Sequence, residues 1–338
     1  MSRAANITVG ELIELEEKPK TRLQKIVDRV ICFSPILAAA VLLLQYFYVP
    51  DFGLNTRTNV FPTIIGFFTA VLIGIFISGF FSKRAYKLLL KNAPIYTVAI
   101  LALILYDHNT LKTGKLMMPY FPWPDKILNA IIDDRRLLLD CISNSLILLF
   151  SGFFTGAVAG LVTGVMTGWY KKVNYWVAPL LKIIGPIPST TWLPIILIVA
   201  SSLFKGSVFI IALGVWYPVT MTTFAGVSNV KKSFFEVAKT LGAKELRLIF
   251  KVAIPAALPN IFQGLTQGMS VACTTLIVAE MMGVESGLGW YINWQRGWAE
   301  FAKMYSAVII ICLTFTAVNL VFGLIKRRAL RWQEGVVR

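Results

Sequence analysis

Ser233-Phe-Phe-Glu-Val-Ala-Lys-Thr-Leu-Gly242, continuing to Ile254-Pro255, is a polar interruption between two apolar runs of membrane-crossing length. Ser233 and Glu236 stand in the S-x-x-E relation of a capping box, so a helix is expected to begin at Ser233. Gly242 sits where that helix should stop, because glycine takes the left-handed conformation without steric cost. A second helical stretch is expected from Lys244 to about Ala253, before Pro255 and Pro259 close the segment. Two short helices around a glycine turn cost ordering entropy and span nothing. A bare connector has no use for them, and the segment reads as a docking element.

The surrounding chain defines the solvent. Of 338 residues, 57% are hydrophobic and only 15% charged, with a mean hydropathy of +0.70. Such a balance excludes an ordinary soluble domain and indicates an all-α polytopic membrane protein. A helix needs roughly 20 apolar residues to cross hydrocarbon. Eight such runs are read, at about 30–49, 60–81, 93–106, 142–167, 175–203, 206–226, 258–282 and 303–325. The third is the weakest and must recruit neighbours such as Leu88–Leu90, tilt, or remain short.

The net charge of +16 is distributed by side. With eight spans, 23 of the Lys and Arg residues fall on the side of both termini and of the 228–256 loop, against nine opposite and Lys182 within a span. The positive-inside rule therefore predicts cytoplasmic termini and a cytoplasmic loop. Nucleic-acid binding is not expected. No cleavable signal is evident, because residues 1–29 are too polar. Thr8 and Glu11 form a further capping-box pattern, opening a short amphipathic helix through Glu17. Cys32, Cys141, Cys273 and Cys312 lie in or near apolar runs without paired spacing and read as small buried side chains.

The quoted segment resembles the cytoplasmic loop of the membrane subunits of binding-protein-dependent ABC importers. That loop reads Glu-Ala-Ala, three residues, Gly, nine residues, then aliphatic-x-aliphatic-Pro. Glu236, Ala238, Gly242, Val252, Ile254 and Pro255 match it, while Val237 departs from the first alanine. The resemblance extends over about 93–326 as a six-helix core. Phe121-Pro-Trp-Pro124 resembles the family's outer Pro-x-Pro segment, Gly185-Pro-Ile-Pro188 with Pro194 its proline-broken helix, and Gly287-Leu-Gly289 its outer turn. The pattern is most similar to the nitrate/sulfonate/taurine class. Residues 1–92 lie outside it as a cytoplasmic segment and two added spans, and 327–338 form a tail.

The resemblance implies that Ser233, Glu236, Val237, Ala238, Leu241, Gly242, Ala243 and Pro255 couple the chain to a separate ATPase. It implies two ATPase subunits, an external or periplasmic solute-binding protein and a second permease copy, read as a homodimer with a heterodimer left open. This chain is expected to bind no cofactor, ATP and Mg belonging to the partner ATPase, and to sit in a bacterial or archaeal cytoplasmic (inner) membrane among lipid. The implied solutes are nitrate, sulfonates, taurine, bicarbonate or vitamin precursors.

Two patterns suggest how the core works. Gly152, Gly156, Gly160, Gly164 and Gly168 recur at four-residue intervals. Small residues so spaced let membrane helices approach closely, and tight packing is the expected use, with a sliding seam between inward-open and outward-open states as the functional alternative. Gln263, Gln267, Ser270 and Thr274 form a polar stripe that should face protein or water. It reads either as a translocation-pathway wall or as interhelical hydrogen bonding. Pro186 and Pro188 unwind the fifth span and are the expected opposite wall, a purely structural kink being the alternative. Asn144 and Ser145 are weaker lining candidates. Glu280 is expected to pair with Arg296, to meet a helix end or to stay in an interface.

Rival classes find little support. No G-x-x-x-x-G-K-[ST], HExxH or CxxC occurs, and the lone His108 lies in a loop. No metal site is expected. A membrane-embedded enzyme has only Asp133-Asp-Arg-Arg136 as a hook, read instead as an amphipathic outer segment. A secondary transporter driven by ion gradients predicts buried ionisable groups and two related halves, and neither is clear.

Overall fold

A computed structural model describes residues 21–53 and 55–332. The Thr8–Glu11 pattern lies outside the described residues. Among those described, seven helices are long and apolar enough to cross a membrane, and an eighth span forms if one bent pair counts as one. The chain divides into two compact units between Asn129 and Ala130.

In the first unit, α1 (Arg22–Tyr48), α2 (Val60–Phe81) and α3 (Lys83–Asp107) pack on one another. A capping box opens α1, but the pair is Thr21 and Gln24: Gln24 N donates to Thr21 Oγ1 at 3.3 Å and Thr21 N to Gln24 Oε1 at 3.0 Å. The short third run becomes a 25-residue helix by recruiting residues from Lys83 onward, with Pro94 inside it. The boundary expected at 92/93 therefore falls within α3. Asp125 caps α2 from a distance in sequence, accepting from Thr58 N at 2.6 Å and Phe61 N at 3.0 Å. Lys112 is buried and fully occupied, donating to the Tyr46 and Val49 carbonyls at 2.8 Å each and pairing with Asp51 at 2.7 Å.

The second unit contains α5 (Arg135–Trp169), preceded by the amphipathic α4 (Pro124–Asp133), which crosses the division. It continues through α6 (Lys171–Ile184), α7 (Leu193–Val199), α8 (Leu203–Ser228), α9 (Lys232–Thr240), α10 (Glu245–Leu248), α11 (Ile254–Gly283), α12 (Leu288–Gly297) and α13 (Phe301–Ala329). Its core lies where α5, α8 and α11 meet, with Leu149 and Phe153 against Ile211, Val215, Met269 and Leu276. Asp134 anchors the start of α5, accepting from Tyr291 Oη at 2.6 Å and pairing with Lys303 at 3.0 Å. Asp134 of the Asp133-Asp-Arg-Arg136 run is thus tied into helix packing.

All five glycines of α5 bear on one partner. A Cβ at Gly160 would lie 2.8 Å from Val219 Cβ and 3.0 Å from Trp216 O; one at Gly164 would lie 2.6 Å from Thr223 Cβ. Gly152 meets Ile211, Gly156 meets Ala212 and Val215, and Gly168 meets Val227. The α8 contacts 211, 215, 219, 223 and 227 also recur every four residues. Both stripes drift at the same rate, so two helices that wind about each other stay in register.

Several local expectations are corrected. The helix at the quoted stretch starts at Lys232, not Ser233, and has no side-chain cap. Ser233 lies within its first turn, already helical, and cannot act as N-cap. Pro255 and Pro259 do not close the loop: Glu245–Gly283 runs as one long helical element. It widens into a π turn over Ile249–Ala253 just before Pro255, relieving the clash of a proline ring with the carbonyl four residues back. The fifth run is broken as its prolines predict: α6 and the Ser189–Val199 segment meet at 85°, the geometry of a broken span or a re-entrant loop. Cys32, Cys141 and Cys273 are buried free thiols, whereas Cys312 is exposed on α13.

Candidate functional site

Two features of the second unit have the geometry of working parts. The first is the loop between α8 and α11. α9 ends in a Schellman arrangement: Gly242 N donates to Lys239 O at 2.9 Å and Ala243 N to Ala238 O at 3.0 Å. Gly242 has φ +78°, and no neighbouring atom lies within 4 Å of where its Cβ would stand. The turn is set by backbone, not by packing. Phe234, Val237 and Leu241 recur at i, i+3, i+7 on one exposed face, with Leu241 82% exposed. Leu246 and Phe250 extend the apolar surface past the turn, while Ser233, Glu236 and Lys239 stand exposed around it. Ala238 and Pro255 are half-buried.

Phe235 turns the other way. With Trp169 it packs against a small core of Val227, Ala253, Ala257 and Ile261 at the ends of α8 and α11. Trp169 Nε1 donates to Glu245 Oε1 at 3.0 Å. Some loss of hydration and then the neighbouring Glu245 carboxylate push the phenol of the exposed Tyr170 above its ordinary range.

The second feature is a cavity of about 510 Å³ between the bent helix pair, α8 and α11. Gln267, Thr274 and Thr275 of α11 line it opposite Gly185, Pro188, Ser189 and Thr190, with Tyr217 of α8 between. No ionisable carboxylate, amine or guanidinium is among its lining residues. Gln263, Gln267, Ser270 and Thr274 are all exposed on one face of α11, although Gln263 and Ser270 lie outside the cavity lining. Pro188 lines it and Pro186 does not. The chain breaks because α6 stops at Ile184 and two prolines in the next four residues supply no donors. Thr190, Tyr217 and Thr275 were not legible as lining: they stand on three different elements.

Asn144 belongs elsewhere. It donates to Ser286 Oγ at 2.9 Å and borders a separate cavity of about 380 Å³ with Leu203, Phe204 and Glu285. Ser145 is buried and is not a lining residue. Its Oγ lies 2.6 Å from Glu280 Oε1 and accepts from Leu288 N at 2.9 Å, while Gly289 N donates to Glu280 Oε2 at 2.8 Å. Glu280 therefore meets the N-terminus of α12. Arg296 donates to Asn293 Oδ1 at 2.8 Å instead. Gly287, at φ +137°, must be glycine, because a Cβ would strike the Glu280 carboxylate. Among the described residues, no cluster of three metal-ligating side chains occurs.

These features define a multi-pass α-helical membrane protein with a broken helix at an uncharged cavity and an exposed two-helix loop between two core spans. The chain belongs to the family of binding-protein-dependent transport system inner membrane components, whose pattern it matches over residues 145–332. It is similar to the aliphatic sulfonates transport permease SsuC of Bacillus subtilis, 32% identical over 183 residues, covering 54% of this chain and 66% of that protein. It is similar also to the taurine transport system permease TauC of Escherichia coli, 25% identical over 255 residues, covering 73% and 93%. The nitrate import permease NrtB of Synechocystis is 27% identical over 215 residues, covering 62% and 75%. An inward-facing crystal structure of the MetNI methionine ABC transporter shares the fold, with a TM-score of 0.50 at 19% identity, covering 58% of this chain and 97% of that one.

Proposed function

We propose that this chain is the membrane subunit of an ATP-driven importer, passing a small polar or anionic solute by alternating access. The observation that carries the reading is the apolar row Phe234, Val237 and Leu241, held out by the Gly242 turn. A row at this spacing on a polar loop suits a hydrophobic groove on a partner. The partner is an ABC ATPase, in two copies, which holds the ATP and Mg; closure of its dimer pulls the loop and rocks the core.

The exposed stripe Gln263, Gln267, Ser270 and Thr274 borders the pathway, since such a stripe is costly against lipid. Amides and hydroxyls pass an oxyanion without a fixed carboxylate to repel it. The relatives are named for aliphatic sulfonates, taurine and nitrate, and the solute belongs to that group or is a bicarbonate or vitamin-precursor analogue. An external binding protein delivers it, and a second copy of this chain completes the pathway. The excess of Lys and Arg on one side supports cytoplasmic termini and a cytoplasmic loop, and the membrane is that of a bacterial or archaeal cell.

The test is isolation of the native complex through a tagged copy of this chain. An ATPase subunit should co-purify, and its retention should fall when Leu241 is replaced by Asp. Solute uptake that persists in cells lacking every such ATPase would favour an ion-gradient mechanism and overturn the proposal.

A further inference from the structure

α8 and α11 are joined to the docking loop through the backbone: α8 enters it across Asn229–Lys231, and α11 leaves it through the π turn. α5 and α6 have no such connection. They meet the loop at Trp169, the last residue of α5, one residue before Tyr170 turns the chain into α6. The Trp169 ring meets Phe235 edge-on, centroids 5.5 Å apart at 72°, and its Nε1 donates to Glu245 at 3.0 Å. Phe235 precedes the Gly242 turn and Glu245 follows it. One side chain thus holds both arms of the loop.

The two helices at this junction differ in freedom. α5 is interlocked with α8 along the glycine seam, where branched side chains and carbonyl oxygens of α8 seat against the bare glycine backbone and resist sliding. α6 packs only lightly on α5 and α8 and ends at the Gly185–Pro188 break that walls the cavity. A displacement delivered at Trp169 moves α5 with α8 as a body and leaves α6 as the part able to swing.

We infer that Trp169 and Glu245 are positioning residues that relay movement of the 231–253 loop into α6 and so to the broken segment at the cavity. The inference rests on the importer reading above. A merely structural tryptophan would fill space at the helix end, and loss of its N–H would leave the cavity's response intact. The bond is directional and charge-assisted, and the exposed Glu245 contributes little to folding.

The experiment uses the purified complex in lipid, in a chain whose four native cysteines are replaced by alanine. Two single reporters are compared: Ile187→Cys on the broken segment and Thr274→Cys on α11. Each is probed with a water-soluble maleimide, with and without ATP and vanadate. Trp169→Phe keeps the ring and removes the donor. Residues that carry coupling typically alter it by about 0.5–2 kcal/mol, roughly 2- to 30-fold. Trp169→Phe should reduce the nucleotide-dependent change at Ile187→Cys by a factor in that range. ATP hydrolysis and the change at Thr274→Cys should stay close to those of the parent. Glu245→Leu should behave as Trp169→Phe does, and Glu245→Gln, which retains an acceptor, as the parent does. An unchanged Ile187→Cys response in both Trp169→Phe and Glu245→Leu overturns the relay, as does equal loss at both reporters. No response at either reporter in the parent, with no ATP hydrolysis, overturns the importer reading itself.

Discussion

Ser145 Oγ lies 2.6 Å from Glu280 Oε1, fastening α5 to α11 across 135 residues of sequence. The carboxylate is 1% exposed and takes its second hydrogen bond from Gly289 N. Leaving a buried polar group without its hydrogen-bond partner costs about 1–3 kcal/mol. Ser145→Ala should lower stability by about that amount. Glu280→Gln, which keeps an acceptor for Gly289 N, should cost less than Glu280→Ala. Thermal unfolding in detergent measures both; equal melting for all three variants would remove Glu280 as the fastener.

The glycine seam predicts a position-dependent response to one methyl group. Gly160→Ala places Cβ 2.8 Å from Val219 Cβ, and the helices must part or strain by about 1–3 kcal/mol. Gly160→Leu should prevent assembly and uptake. Gly66→Ala on α2, where no neighbouring atom lies within 4 Å of the new Cβ, should be neutral or raise stability by about 0.5–1 kcal/mol. Denaturant midpoints of the two alanine variants should move in opposite directions or differ by at least the seam's cost.

Gly242 tests conformation apart from packing. Its surroundings are empty, so a side chain meets no clash and only the positive φ resists it. The left-handed conformation costs an ordinary residue about 1–2 kcal/mol, and asparagine less. Retention of the ATPase should therefore rank Gly, then Asn, then Ala, then Val at this position. A flat series in a pull-down would mean the turn does not set the docking surface.

The α11 stripe predicts a labelling pattern. Cysteine at Gln267 or Thr274 should react with a water-soluble thiol reagent in at least one nucleotide state, because both line the cavity. The native Cys273 beside Thr274 is buried and should stay unreactive. Protection of both substituted sites in every state would assign the stripe to contacts within the assembly.

Much of this architecture is legible from composition and spacing, for local reasons. Crossing helices follow from apolar length, and the Gly242 turn follows from the one residue type that accepts positive φ freely. The misses are instructive. Ser233 and Glu236 have capping-box spacing, but whether a serine caps depends on its own backbone angles, and here the helix begins before it. Pro255 reads as a terminator, yet a π turn lets the helix pass. The weak third run, by contrast, reaches full span length by recruiting Leu88–Leu90 and their neighbours, an outcome its sequence allowed.

The amino-acid order alone therefore settled that the chain lives in a membrane, where its loops fall, and which residues have unusual backbone freedom. Folding in three dimensions decided that Glu280 binds Ser145 and not Arg296, that five glycines face one helix, and that Trp169 reaches Glu245 across 76 residues. The division has a physical cause. Solvation length and dihedral preference belong to a residue and its neighbours, whereas a partner is chosen only when helix packing brings two distant faces within hydrogen-bonding reach.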